Sequence, residues 1–209
     1  RPALAPLAIR NVRKSWLSRE IVSLSLFGAA AATYAGMLLL ALPWAALVGG
    51  MASAIGLFAM YSTSRIYLVP GRPAWNRPHT IADFFLTGAT LGPLLLAALG
   101  ARFEQALLTA AAVAAVAHLL VEVLRFLSFV RSEEHELRAT ARLLSGKLSR
   151  PFLLRLGLHV IGAVALPALG FAGLGLALST SGALVGRYLF FVSVVPKNIA
   201  MPFFDRKAA

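Results

Sequence analysis

The sequence predicts an all-α integral membrane protein, a bundle of about six apolar helices. Three observations lead there. Hydrophobic residues make up 59% of the chain and charged residues only 13%, with a mean hydropathy of +0.78, so a water-soluble fold would expose more apolar surface than water tolerates. The apolar residues gather in runs long enough to cross about 30 Å of hydrocarbon. The basic residues behind the net charge of +12 lie in the connectors between those runs.

The runs predict spans over about Ser18–Leu42, Pro43–Val69, Thr80–Gly100, Arg102–Val130, Pro151–Leu176 and Ser179–Phe204, together one transmembrane domain over residues 1–209. The stretch before the first span, Arg1 to Arg19, has neither an initiator methionine nor the apolar core of a cleavable signal, which predicts a fragment of a longer subunit. Pro43 and Trp44, followed by Gly49 and Gly50, mark the first turn. Pro70 to His79 form a loop, because Pro70, Gly71, Pro73 and Pro78 interrupt any helix there. Arg131 to Arg150 mixes Glu133, Glu134, Glu136, Arg138, Arg142 and Lys147 with Leu137, Leu143, Leu144 and Leu148, the pattern of an amphipathic helix lying on the membrane surface. Gly28, Ala32 and Gly36 repeat at four-residue spacing and read as ordinary close helix packing.

Orientation follows from the positive-inside rule. The leading segment carries Arg1, Arg10, Arg13, Lys14 and Arg19, the second connector Arg72 and Arg77, the fourth Arg131, Arg138, Arg142, Lys147 and Arg150, and the end Lys197, Arg206 and Lys207. The alternate connectors offer only Arg102. Six spans place every basic segment on one side, with both ends cytoplasmic. This distribution does not suit nucleic acid, which needs a solvated basic face. The absence of cysteine excludes thiolate zinc sites, iron–sulfur ligation and disulfides from this chain.

Charged groups at or within the spans are the candidates for chemistry, since each costs on the order of 3 kcal/mol or more at bilayer depth. They are Glu20, Arg65, Asp83, Glu122, Arg125 and Arg187, joined by His118 and His159. Arg155, near the start of the fifth span, reads as snorkelling to the surface. Glu20 follows Ser15, Trp16, Leu17, Ser18 and Arg19 where a basic segment becomes a membrane helix. Its plain role is to favour the helix start through the dipole; its sharper role is to accept a proton from a quinol hydroxyl at a lipid-facing cleft. Arg65 and Tyr67 close the second span, and with Trp75 they predict a pocket lined by a guanidinium and flat rings on the same face. His118, Glu122 and Arg125 share one face of the fourth span, with Glu122 and Arg125 expected to pair or to serve a proton path. Arg187, expected about eight residues into the last span, needs Asp83, Glu122 or a carbonyl as partner. Lys197 and Asn198 are placed nearer the cytoplasmic end. His118 and His159 fall at comparable depth, which leaves haem ligation between them as an alternative, alongside a transporter fragment. No thiolate metal site is expected in the chain, and no metal ligands are assigned.

Several of these pieces resemble the membrane-anchor subunit of the dimethyl sulfoxide reductase family. Ser15-Trp16-Leu17-Ser18-Arg19-Glu20 resembles its serine-rich segment ending in an acid. Arg65-Ile66-Tyr67 with Pro73 and Trp75 resembles its arginine and tyrosine followed by a proline and tryptophan loop, and Gly92-Pro93 and Gly186-Arg187 match in order and spacing. The family has two further helices upstream and a His-Leu-Gly segment before a proline equivalent to Pro2, so the resemblance implies eight spans in a full subunit. It also implies a quinol or quinone site of Ser15, Trp16, Arg19, Glu20, Arg65, Tyr67 and Trp75, with Glu20 as the acidic group that matters for menaquinol oxidation. Menaquinone or ubiquinone is then the substrate, without haem. An iron–sulfur subunit relays the electrons and a molybdopterin catalytic subunit uses them. Related sulfite-oxidising complexes run the same path in the opposite direction. The implied setting is the bacterial cytoplasmic membrane, in anaerobic respiratory electron transport.

Overall fold

The structure is a computed structural model that describes residues 11–197. The expected ends at Arg1 and Phe204, and the positions of Arg10, Asn198, Arg206 and Lys207, lie outside the described residues. The helices are α1 (Trp16–Leu39), α2 (Ala45–Ile66), α3 (Pro78–Ala98), α4 (Glu104–Val130), α5 (His135–Ser145), α6 (Ser149–Val160, continuing through Ile161–Ala165 and Leu166–Ala168) and α7 (Ala172–Val192). No strand occurs among the described residues. All of these helices except α5 are long and apolar enough to cross a membrane, which makes six candidate spans as expected.

The chain divides into two compact units, Arg1–Leu68 and Val69–Ala209. The first holds α1 and α2. The side chain of Ser15 caps α1 by accepting from the backbone N–H of Ser18. Glycines of α2 receive aromatic rings of α1: a Cβ on Gly49 would meet the Tyr34 ring at 2.8 Å, and one on Gly56 the Phe27 ring at 2.9 Å. Gly28 and Gly36 face open space, so the repeat expected to carry close packing does not carry it.

The second unit is layered along its spans. At the end that holds the basic connectors, Ala74 packs with Phe129, Leu137 and Ala141, so the apolar face of α5 closes this end. This amphipathic helix is the one expected within Arg131–Arg150. At the other end Leu94, Ala97, Leu108, Ala111, Ala115, Ala163 and Ala172 form an apolar layer built largely from alanine. Between the two lie the charged residues described below.

The last two spans depart from expectation. The turn between them falls at Leu169–Phe171, with Gly170 at φ +83°, rather than near Ser179. The cluster Ser179-Thr180-Ser181 is inside α7, because a serine in a membrane helix satisfies its own hydroxyl; Ser181 Oγ donates to the Ala177 carbonyl. Before the turn, Pro167 has no N–H to give the Ala163 carbonyl. The backbone there runs as a wide turn over Ile161–Ala165, in which Leu166 N donates to Ile161 O.

Small residues let α6 and α7 touch. A Cβ on Gly162 would lie 2.6 Å from Ser179 N and 2.9 Å from the Gly175 carbonyl, and one on Gly175 would lie 2.6 Å from the Gly162 carbonyl. Gly162→Ala is therefore expected to force the helices apart and to destabilise the second unit by about 1–3 kcal/mol, read as a lowered melting temperature in detergent. Gly28→Ala, which meets nothing within 4 Å, should leave melting unchanged or slightly raised.

Candidate functional site

In the first unit, Trp16 organises the membrane rim. The Arg19 guanidinium lies over its ring at 4.2 Å, the Arg65 guanidinium approaches it at 4.8 Å, and Tyr61 meets it edge-on with centroids 5.6 Å apart. Arg19 also donates from Nε to the Val12 carbonyl (2.8 Å) and from Nη2 to the Arg13 carbonyl (3.0 Å), fastening the basic segment onto the helix start. Arg65 Nε is buried without a hydrogen-bond partner. Glu20 stands one helical turn after Trp16 on the same side of α1, half-buried, and its carboxylate has no ion-pair partner among the described residues. Tyr67, also half-buried, caps α2. Next to this rim an apolar cleft of about 420 Å³ opens between α1 and α2, lined by Val22, Ser23, Leu26, Ala54, Ile55 and Phe58, with Arg19 at its edge. Its volume falls in the range of small-molecule sites.

In the second unit the intramembrane charges converge on one buried cluster. Arg155 donates from Nη2 to Asp83 Oδ1 (2.9 Å) and pairs from Nη1 with Glu122 Oε1 (2.9 Å). Arg125 donates to the same Glu122 oxygen at 3.2 Å, His118 Nε2 contacts Asp83 Oδ1 at 2.8 Å, and Arg187 Nη1 approaches Asp83 Oδ2 at 3.5 Å. The Arg187 guanidinium also covers the Phe84 ring at 3.8 Å. Gly186 makes room for this: a Cβ there would lie 2.7 Å from Arg155 Nε.

The expected pairing of Glu122 with Arg125 is present, and Asp83 is the partner that Arg187 required. Arg187 lies near the C-terminal end of α7, roughly 8 Å before it, because the span begins earlier than expected. Arg155 does not snorkel. It is 6% exposed and sits at the centre of the cluster, since two buried carboxylates offer its planar fork more than the interface does. The position was readable as one turn before His159 on the same face of α6. His118 and His159 meet, as expected for comparable depth, but their rings touch edge to face with centroids 4.9 Å apart. His118 Nε2 is engaged by Asp83.

Trp75 is placed differently from the expected pocket lining. It is buried, with Phe190 stacked on one face (5.0 Å, 7° between planes) and the Arg72 guanidinium over its ring at 4.3 Å, while its indole N–H donates to the Phe190 carbonyl at 2.8 Å. With both faces covered it fastens the loop after Val69 to the end of α7. Lys197 N donates to the Gly71 carbonyl and Arg77 pairs with Glu134 at 2.8 Å, so the same end is tied from several elements.

A family model described as DMSO reductase anchor subunit (DmsC) matches residues 2–142. The chain belongs to the DMSO reductase anchor subunit family. With its six candidate spans, this anchor subunit is a multi-pass membrane protein. No curated protein and no solved structure matches it. The matched stretch runs from the leading segment into α5, so it covers Ser15–Glu20, Arg65, Tyr67, Asp83, His118, Glu122 and Arg125. Arg155 and Arg187 lie beyond it, and in this anchor subunit they complete the cluster that the matched helices begin. Asp83 and Arg155 are the residues sequence reasoning ranked too low. The signal for Asp83 was charge balance, since Glu122, Arg125 and Arg187 alone leave an excess of buried positive charge.

Proposed function

We propose that this chain anchors a molybdopterin oxidoreductase of the DMSO reductase type in the bacterial cytoplasmic membrane and is its quinol-reactive subunit. The observation that carries the reading is the carboxylate of Glu20, with no ion-pair partner among the described residues, at a membrane rim that also holds Trp16, Arg19 and Arg65, beside an apolar cleft wide enough for a quinone head group. Oxidation of a quinol releases two electrons and two protons. Glu20 accepts a proton at its carboxylate, and the second goes to water at the rim. Arg65, with Nε–H unpartnered, orients a ring oxygen, and Arg19 and Trp16 hold the edge of the site. Ser15 sets the start of α1 and so the height of Glu20, and Tyr67 closes the end of α2.

The electrons leave through an iron–sulfur cluster in a partner subunit, because this chain has no cysteine to hold one. They continue to a molybdopterin subunit, or return by the same path when the complex reduces quinone. Menaquinone and ubiquinone both suit the site. The basic segments lie on the cytoplasmic side with both ends of the chain. Extraction of the complex in mild detergent is the test: an iron–sulfur protein and a molybdopterin protein should remain attached, with extractable quinone and no Soret band. A chain that purifies alone, or one with a Soret band that shifts on reduction, refutes the reading in favour of a transporter or a haem anchor.

A further inference from the structure

A cavity lies at mid-span in the second unit, on the apolar side of the charged cluster. Its walls are Thr87, Thr90, His118, Arg155, His159 and Ser179, with Leu91, Gly182 and Ala183 between them. It has about 10 Å³ of room for a water's centre, close to the roughly 10–15 Å³ that one water needs. Two of the lining residues are deeply buried, His118 at 5% and Ser179 at 1% exposed. Three buried polar atoms of its walls have no hydrogen-bond partner: His118 Nδ1, His159 Nε2 and Ser179 Oγ. The two threonines do not compete, since Thr87 donates to the Asp83 carbonyl and Thr90 to the Leu86 carbonyl.

The donor and acceptor count is specific. His118 Nε2 lies 2.8 Å from the Asp83 carboxylate, which only accepts, so that nitrogen carries the proton and Nδ1 of the neutral ring is an acceptor. His159 Nε2 is buried and unpartnered, and with the ring proton on Nδ1, on the side of the Ala115 backbone, it is a second acceptor. The Ser179 hydroxyl is a donor. Two imidazole acceptors cannot satisfy each other, and one hydroxyl proton cannot serve both. A molecule with two donors and a free lone pair satisfies all three atoms, and at this volume that molecule is water.

We propose that this cavity is a binding site for one ordered water, which donates to His118 Nδ1 and His159 Nε2 and accepts from Ser179 Oγ. The water extends the Arg155–Asp83–His118 cluster by one step to mid-span. There the polar track stops, because the next layer toward the opposite face is the apolar set Leu94, Ala97, Leu108, Ala111, Ala115, Ala163 and Ala172.

The test is an experimental structure of the intact complex in lipid nanodiscs, at a resolution that shows ordered solvent. One solvent peak is expected within about 2.7–3.1 Å of all three atoms. A dry cavity, or a His159 ring turned to bond Ser179 directly, overturns the proposal. In His159→Phe the larger ring should displace the water and the peak should be lost. In Ser179→Ala it should persist on the two imidazoles. A peak that survives in the phenylalanine variant, or disappears from the alanine variant, also overturns the assignment. The native complex decides the question even where a variant fails to assemble.

Discussion

Glu20→Gln is expected to lower quinol-linked turnover by about 100-fold or more while the complex still assembles and still accepts electrons from a dye that bypasses the membrane. The size follows from what general-base catalysis contributes, about 100- to 10,000-fold. The substitution removes the ionisable group and keeps its shape, and among the described residues Glu20 has no ion pair whose loss would unsettle α1. Structure at this rim comes from elsewhere, from the Ser15 cap and from the contacts of Trp16 with Arg19, Arg65 and Tyr61. The two activities therefore separate. Arg65→Gln provides the contrast: it should raise the quinol KM more than it lowers kcat, because it touches a ring oxygen rather than a proton in transit. Full quinol activity in Glu20→Gln would remove Glu20 from the reaction. Parallel loss of dye-linked activity would make its role structural.

The fold was largely legible in the sequence because lipid imposes one strong rule, that a span must be apolar for its whole length. That rule located α1 to α4 to within a few residues. It failed at the α6–α7 turn, where both sides are apolar and the chain reverses at Gly170 with no polar residue to mark it. The serines near residue 180 looked like a boundary only because a hydroxyl counts as polar in a hydropathy sum, whereas in a helix it bonds the preceding turn. The rim around Glu20 was visible as a local motif, since Ser15, Trp16, Arg19 and Glu20 are neighbours in sequence. The central cluster was visible only as a set of unpaired charges. Asp83, Glu122 and Arg155 come from three helices, and nothing in a linear sequence says which carboxylate meets which guanidinium. Trp75 shows the converse. A tryptophan in a membrane-edge loop reads as a ligand wall, and only the stacked Phe190 and overlying Arg72 reveal a fastening role.

Arg155→Met should destabilise the second unit by about 3–5 kcal/mol, the usual consequence of removing one partner from a buried ion pair. The guanidinium joins Asp83 and Glu122 through separate nitrogens at 2.9 Å each, and both carboxylates are buried. Methionine fills much of the volume and supplies no proton, so the loss is of charge compensation rather than packing. Arg125 and Arg187 remain, but they reach the carboxylates at 3.2 Å and 3.5 Å and from the edges of the cluster. Arg155→Lys should recover only part of the stability, because a single ammonium cannot span both acids as the planar fork does. The decisive variant is the double substitution of Arg155→Met with Glu122→Gln. If uncompensated charge is the cause, neutralising one acid returns a measurable share of the melting temperature that Arg155→Met lost. If the cause is lost packing, the second change lowers it further. An unchanged melting temperature in Arg155→Met alone would mean that the cluster does not hold the four spans together. The apolar layer of Leu94, Ala111, Ala115 and Ala163 would then have to account for their association.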